Sequence, residues 1–298
     1  MPLLGEFAAL LTAIFWSATS MIFTSATRRL GAAMQINIDR MIIACIMLIV
    51  TIPFIGASLD LNFGQFGYLA LSGIVGLVFG DSFLFKAFQT IGARISMLLL
   101  SLAPAIASLL AYIFMGEGLS LWGIIGMFIT IFGIAIVTFE RKEQENGEKH
   151  KLNKLGILYG FFGALGQGVG LVLAKMAFTY GDVNGFSASL IRLASSVAII
   201  VPLAVLTKRY KNPLKAYALD KKAFGLTTAG AVFGPYLGIS LSMIAVAHAK
   251  MGIASTIMAT PPVIMLPAVA LIYKEKLSPI SIIGAFIAVG GVAILFLK

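Results

Sequence analysis

Apolar runs of about 20 residues, separated by short polar connections, follow one another along the whole sequence. A helix needs about 20 apolar residues to cross a bilayer, and only a fold that satisfies every backbone hydrogen bond internally can lie in hydrocarbon. Charged residues make up 11% of the 298-residue chain, against about 25% in soluble domains. The sequence therefore predicts an all-α integral membrane protein. Ten transmembrane helices are predicted, at about 5–27, 34–54, 65–89, 93–114, 121–139, 155–180, 185–207, 223–247, 252–273 and 279–297.

The sequence also repeats itself at a fixed offset of 158 residues. Residues 104–133 read PAIASLLAYIFMGEGLSLWGIIGMFITIFG, and residues 262–291 read PVIMLPAVALIYKEKLSPISIIGAFIAVGG. Five spans in each copy is an odd number, so the second copy must enter the membrane in the opposite orientation. We predict two inverted five-helix repeats, in residues 1–139 and 155–298, joined by a polar linker in residues 140–154. Glu117 and Glu275 are predicted to be turn and capping residues at opposite membrane surfaces.

The basic residues support this topology. Sixteen of the 22 Lys and Arg residues fall in connections 1–2, 3–4, 5–6, 7–8 and 9–10, whereas the opposite side holds only Lys250 and Lys298. Basic residues near the ends of spans stay on the cytoplasmic side. The distribution predicts a multi-pass protein of the cell membrane, inner or plasma, with both termini outside. The net charge of +10 is explained by these loops, so no nucleic-acid partner is expected.

Two ionisable residues lie in the third predicted span. Asp81 is flanked as Gly80-Asp81-Ser82, whereas the equivalent stretch of the second copy reads Gly238-Ile239-Ser240. A charge inside the bilayer is costly and marks a candidate functional residue. Asp81 is interpreted either as a proton-accepting carboxylate or as a carboxylate paired with an arginine. Lys86 lies nearer the cytoplasmic end, where its ammonium could extend to the membrane surface.

Other polar residues inside the spans form a second group of candidates. Arg40 and Arg192 occupy similar places in the second helix of each copy, which suits either an architectural role or the binding of an anion. Gln167 in the sixth span aligns approximately with Trp16 in the first. Gln167, among four glycines, suits either a close helix crossing or the wall of a polar cavity, and Trp16 suits either a cavity lining or an ordinary buried aromatic. Lys175 lies near the outer end of the sixth span.

Prolines interrupt the fourth and ninth predicted spans. Pro104 and Pro262 are each expected to kink their helix, because proline removes a backbone hydrogen bond and clashes with the preceding turn. Ser101, Thr256 and Thr260 lie beside these prolines. Freed carbonyl groups are tolerated at membrane depth only where they meet protein or a water-filled cavity. The sequence therefore predicts a binding site or hinge at this level.

Several chemistries have no supporting motif. The chain contains no glycine-rich loop followed by Lys-Ser/Thr, no Ser-His-Asp arrangement and no pair of catalytic carboxylates. The two histidines and the single cysteine, Cys45, have no metal-ligand spacing, and one cysteine cannot form an intrachain disulfide. We expect no enzyme activity, no cofactor and no metal site.

The sequence resembles the EamA type of the drug/metabolite transporter superfamily. The resemblance rests on FAALLTAIFWSATSMIFT around Trp16, on the positions of Arg40 and Arg192, and on Pro104…MGEGLS and Pro262…YKEKLS, each followed by a helix with glycines seven residues apart. It implies a basket-shaped ten-helix carrier that exports amino acids, related metabolites or toxic compounds by alternating access. It also implies that helices 1, 3, 4, 6, 8 and 9 line a central cavity, with helices 5 and 10 outside it.

The leading hypothesis is a secondary active exporter of small metabolites, such as amino acids or related amphipathic compounds. Protons are a candidate coupling ion, with Asp81 as the coupling carboxylate. One alternative is a passive facilitator of the same substrates. Another is a flippase for a lipid-linked or phosphorylated head group, in which Arg40, Lys86, Lys175 and Arg192 contact the anion. Besides substrate and membrane lipid, the sequence indicates no partner, and it leaves open whether the protein is a monomer or a homodimer.

Overall fold

The computed structural model describes residues 3–116, 120–139, 143–145, 148–150, 153–218, 220–249, 254, 257–272 and 277–295. Three residues with a predicted role, Glu117, Thr256 and Glu275, lie outside these ranges. The predictions made for them therefore stay predictions.

Helices make up almost all of the described chain. In residues 3–139 they are α1 (Leu4–Leu30), α2 (Ala33–Ile55), α3 (Phe63–Gly73), α4 (Asp81–Leu100), α5 (Ala103–Met115) and α6 (Leu121–Phe139). In residues 153–295 they are α7 (Lys154–Phe178), α8 (Gly185–Leu206), α9 (Pro213–Ala218), α10 (Lys221–Ala231), α11 (Ile239–His248), α12 (Pro261–Ile272) and α13 (Pro279–Leu295). Two three-residue strands, β1 (Glu143–Glu145) and β2 (Glu148–His150), pair antiparallel within the predicted linker.

Within the described residues, six helical segments are long and apolar enough to cross a membrane: Leu4–Leu30, Ala33–Ile55, Phe63–Leu100, Lys154–Phe178, Gly185–Leu206 and Lys221–His248. Four more apolar helices, Ala103–Phe114, Leu121–Val137, Pro261–Ile272 and Pro279–Ile294, are shorter than 18 residues. Large apolar side chains such as Phe54, Phe63 and Phe132 are exposed on the outer surface, as expected where the surrounding medium is lipid. The helical membrane fold is thus confirmed, whereas the count of ten spans stays a prediction.

Pro104 and Pro262, in the fourth and ninth predicted spans, lie in the first turn of a helix, whereas Pro267 lies inside α12. The predicted span at 93–114 is divided between α4, which ends at Leu100, and α5, whose first turn contains Pro104. Pro262 is likewise the second residue of α12. Proline is favoured in the first turn of a helix because its missing N–H has no partner there. Ser101 and Leu102, which join α4 to α5, keep right-handed helical φ/ψ angles, so the helix is interrupted just before Pro104, and a hinge at this level stays a prediction.

Two π-helical segments interrupt the third and eighth predicted spans. The first π segment (Ile74–Gly80) joins α3 to α4, and the second π segment (Val232–Gly238) joins α10 to α11. Their first residues are 158 positions apart, which is the offset of the sequence repeat. Gly76 and Gly80 in the first segment lie against Gly170 and Gly166 of α7. The wide π turns and the absence of side chains bring these backbones into direct contact.

Helices α6 and α13 also pack backbone to backbone through glycines. A Cβ atom added at Gly133 would lie 2.7 Å from the carbonyl oxygen of Gly284, and one added at Gly291 would lie 2.8 Å from that of Gly126. The two contacts are reciprocal, because Gly284 and Gly291 are the copies of Gly126 and Gly133. Since the numbering rises along one helix as it falls along the other, the pair is antiparallel. A helix and its copy therefore run in opposite directions.

Candidate functional site

A cavity of about 140 Å³ lies among the middle parts of the long helices. At roughly 10–15 Å³ for each water-sized group, it has room for about ten non-hydrogen atoms. Its walls are mostly apolar, and the aromatic side chains among them are Trp16, Phe23, Phe85 and Phe88. The polar residues of the lining are Thr19, Ser20, Arg40, Asp81, Ser101, Gln167, Arg192 and Ser242. An apolar cavity with a few convergent polar groups is the usual form of a small-molecule site.

Asp81 and Arg40 form a buried ion pair on the wall of this cavity. Both residues are about 95% buried, and Arg40 Nη2 donates to Asp81 Oδ2. Asn37, one helical turn before Arg40, accepts from the guanidinium at 3.0 and 2.8 Å through its Oδ1. The rings of Phe23 and Phe85 lie 5.5 and 4.6 Å from the guanidinium carbon, close enough for cation–π attraction. The geometry therefore agrees with the interpretation of Asp81 as a carboxylate paired with an arginine.

Gln167 ties this ion pair to α7. Its Nε2 donates to Asp81 Oδ1 and, at 3.2 Å, to the carbonyl oxygen of Gly76. That carbonyl also accepts the Asp81 backbone N–H, through the π-type bond that closes the first π segment. The π segment thus places the carboxylate where residues from α2 and α7 reach it together. Both oxygens of Asp81 are occupied by protein donors.

Arg192 of α8 lines the same cavity, and the described residues offer its guanidinium few hydrogen-bond acceptors. It is 5% exposed, and its Nη1 donates to the thioether sulfur of Met243 at 3.5 Å. A thioether is a weak acceptor. Its Nε has no hydrogen-bond partner within the part of the chain that the structure describes. Asp81 is near enough to attract Arg192 electrostatically, but the two are not among the ion pairs within 4.0 Å.

A separate polar cluster surrounds Asp39, the neighbour of Arg40. Its carboxylate accepts from Gln35 at 2.9 Å, from the Tyr210 hydroxyl at 2.7 Å and from the Tyr217 hydroxyl at 2.8 Å. Both tyrosines lie beyond the end of α8, and burial together with the nearby carboxylate raises the pKa of each phenol. They therefore remain hydrogen-bond donors at neutral pH. This cluster joins α2 to the connection that contains α9.

The structure brings together eight of the residues singled out in the sequence: Trp16, Arg40, Asp81, Ser101, Pro104, Gln167, Arg192 and Pro262. Three other candidates do not line the cavity. The ammonium of Lys86 lies over the rings of Phe83 and Tyr159, at 5.7 and 5.2 Å. Lys175 is half-buried in the last turn of α7, and the Thr260 hydroxyl bonds back to the carbonyl of residue 257 at 2.7 Å. Thr256 lies outside the described residues.

Sequence reasoning missed Asn37, Phe85 and Met243. Helical spacing could have found the first two, because Asn37 precedes Arg40 by three residues and Phe85 follows Asp81 by four. Nothing in the sequence connects Met243 with Arg192, since the two belong to different helices. Among the residues that the structure describes, no group of three His, Cys, Asp or Glu side chains could hold a metal ion.

The model of the EamA-like transporter family matches residues 3–139 and 154–297. The chain belongs to the EamA-like transporter family. This confirms the resemblance seen in the sequence and places the chain in the drug/metabolite transporter superfamily. A solved crystal structure matches with a TM-score of 0.71, covers 98% of this chain and 96% of its own, and is 16% identical. That similarity shows the fold alone. No curated protein matches the chain.

Membership of the EamA-like family agrees with the long apolar helices in indicating a multi-pass membrane protein. It points to a transporter of small compounds, a class whose members are generally not enzymes.

Proposed function

We propose that the protein is a secondary active transporter that exports small amphipathic metabolites, such as amino acids, from the cytoplasm. The observation that carries the proposal is the cavity at the middle of the helices, whose mostly apolar lining includes aromatic rings and a few polar groups. Its size suits a solute of about ten non-hydrogen atoms. Both repeats contribute to its lining, as expected when a substrate site lies between two halves that rock against each other.

The proposed topology is ten spans arranged as two inverted five-helix repeats, with both termini outside the cell membrane. The antiparallel, reciprocal contact of α6 with α13 supports the inversion, because two copies related by a two-fold axis exchange equivalent contacts. The π segments support it as well, since the first packs on α7 and the second packs on α1, near Trp16 and Phe23. The distribution of basic residues supports the proposed orientation, with both termini outside.

Reconstitution in liposomes tests the function. Counterflow with a panel of radiolabelled amino acids, sugars and nucleotides is expected to show saturable flux for one class above protein-free liposomes. The variant Ser242→Leu places a larger side chain in the cavity and is expected to abolish this flux. Ala198→Leu, on an exposed face of α8, is the matched control and should transport normally. Equal flux in both variants would place the transport path elsewhere.

Proton coupling through Asp81 is a separate part of the proposal. Asp81 is a carboxylate inside a predicted span, at the wall of the cavity, and position 239 of the second copy holds isoleucine instead. Protonation would break its pair with Arg40 and so connect proton binding to a rearrangement of α2 and α4. Flux of the transported compound is expected to rise with an imposed pH gradient, and Asp81→Asn should remove that dependence. Full gradient-driven flux in Asp81→Asn would refute the coupling.

The flippase hypothesis has less support, because it needs four cations at one anion site. Arg40 and Arg192 line the cavity, whereas Lys86 and Lys175 do not. Arg40 is also occupied by Asp81.

A further inference from the structure

We propose that Arg192 is the binding site for the carboxylate group of an organic monoanion, whose apolar remainder lies against the apolar and aromatic residues that line the same cavity. The inference rests on the proposed transport function and, among small amphipathic metabolites, favours carboxylates that lack an ammonium group over the amino acids given there as an example.

The first argument is the state of Arg192 itself. A guanidinium carries five N–H donors and a permanent charge. Here it is 5% exposed. Among the described residues, its Nε has no partner and its Nη1 donates to the weakly accepting sulfur of Met243. Buried charges in proteins are ordinarily paired. Because Arg192 lines the cavity, an anion entering the cavity can supply the missing partner.

The second argument is the charge balance of the cavity. Among the described lining residues there are two arginines, Arg40 and Arg192, and one acid, Asp81. Asp81 gives one carboxylate oxygen to Arg40 and the other to Gln167. The ion pair is therefore neutral and complete, and the charge on Arg192 is left in excess.

The third argument is the residue at position 239. Asp81 and Ile239 each follow a π segment directly, are 158 residues apart and line the cavity. Arg40 and Arg192 occupy similar places in the two copies. In the first copy the arginine thus has an acid at the end of the π segment, whereas in the second copy that position is apolar. A ligand carboxylate would provide what Asp81 provides in the first copy.

These observations define the ligand chemistry. One excess guanidinium matches one negative charge, whereas a phosphate monoester carries about −1.5 to −2. An α-amino acid would bring an ammonium group for which the only lining carboxylate in the described chain is already engaged. The aromatic residues Trp16, Phe85 and Phe88 favour an apolar body. The preferred ligand is therefore a small carboxylate without an ammonium group.

Three compounds with the same isobutyl body separate the possibilities: 4-methylpentanoate, 4-methylpentanamide and leucine. Binding can be followed by fluorescence of Trp16 in purified protein that carries Trp122→Phe, since Trp122 lies on α6 and does not line the cavity. We expect 4-methylpentanoate to bind at least about tenfold more tightly than either of the other two compounds. The amide makes no charge pair with Arg192, and the ammonium group of leucine would lose its water without gaining a carboxylate partner. Arg192→Gln should remove the preference. Equal affinities in the unsubstituted cavity would overturn the inference.

A pair of substitutions at position 239 tests the same idea without removing the arginine. Ile239→Asp would give Arg192 an internal partner and should weaken 4-methylpentanoate binding at least about tenfold while leaving 4-methylpentanamide unchanged. Ile239→Asn has the same shape without the charge and should keep the preference for the carboxylate. Unchanged 4-methylpentanoate affinity in a folded Ile239→Asp protein would overturn the inference.

Counterflow measurements keep this inference separate from the proposed function. Protein-dependent flux of the three compounds with equal affinities would refute the anion site and leave the transporter standing. Carboxylate-selective binding that depends on Arg192, without flux of any compound, would support the anion site and refute the transporter.

Discussion

Replacing Asp81 by asparagine should destabilise the protein, although the change removes a single charge and alters the shape of the side chain very little. In the native protein Asp81 and Arg40 are 4% and 5% exposed and form a direct ion pair. Removing one member of a buried pair typically costs 3–5 kcal/mol, because the remaining charge stays buried without compensation. Here Arg40 keeps two hydrogen bonds to Asn37 and its contacts with Phe23 and Phe85, so we expect the lower end, about 3 kcal/mol.

A double-mutant cycle isolates the pair. Arg40→Gln alone leaves a buried carboxylate without its cation and should cost at least as much as Asp81→Asn. The double variant removes both charges, so its cost should be smaller than the sum of the two single costs by about 1–3 kcal/mol. Asp60→Asn, at an exposed position, is the control and should change stability by less than about 0.5 kcal/mol.

Unfolding by SDS in mixed micelles, followed by far-UV circular dichroism, gives the free energy of unfolding for the four proteins of the cycle. Additive losses, with a coupling energy below about 0.5 kcal/mol, would show that the two charges do not stabilise each other. A loss in Asp60→Asn equal to that in Asp81→Asn would point to a general effect of removing negative charge.

Two further predictions concern the surface and the helix contacts. The guanidinium of Arg29 and the backbone amide of Ala223 lower the pKa of the Asp220 carboxylate from its usual 3.8, so its stabilising effect is present above about that pH and is lost as the pH falls through the lowered value. Asp220→Asn should therefore lower the melting temperature at pH 7, and the difference should vanish in strong acid; a constant difference would contradict this. Gly166→Ala should lower the free energy of unfolding by about 1–3 kcal/mol, because the new Cβ would lie 2.7 Å from the backbone nitrogen of Gly80. Gly67→Ala is the control: no atom lies within 4 Å of its Cβ, so it should be neutral or slightly stabilising in the same unfolding assay.

Much of the fold follows from local properties of the sequence. Apolar runs and excluded charges predict membrane helices because the bilayer acts on every residue alone, whatever its tertiary contacts. The positions where a membrane helix is interrupted are less predictable. Pro104 marks an interruption, but whether a proline kinks a helix or begins one depends on how the preceding residues pack. Gly92 lies at the predicted boundary between two spans and has a φ of 80°, a conformation that glycine adopts far more readily than other residues.

The sequence by itself determined which polar residues lie inside the predicted spans. Those residues are few, because a charged side chain in hydrocarbon costs free energy. Only the tertiary structure decided how they are paired. The sequence allowed Asp81 to pair with either Arg40 or Arg192. Because α2 packs against α4, Asp81 forms its ion pair with Arg40, and its other carboxylate oxygen accepts from Gln167. The ammonium of Lys86 instead lies over the rings of Phe83 and Tyr159. The partner of a buried charge depends on which helix faces meet across long sequence separations. Among the described residues, that packing places Arg192 at the cavity with its Nε unpaired.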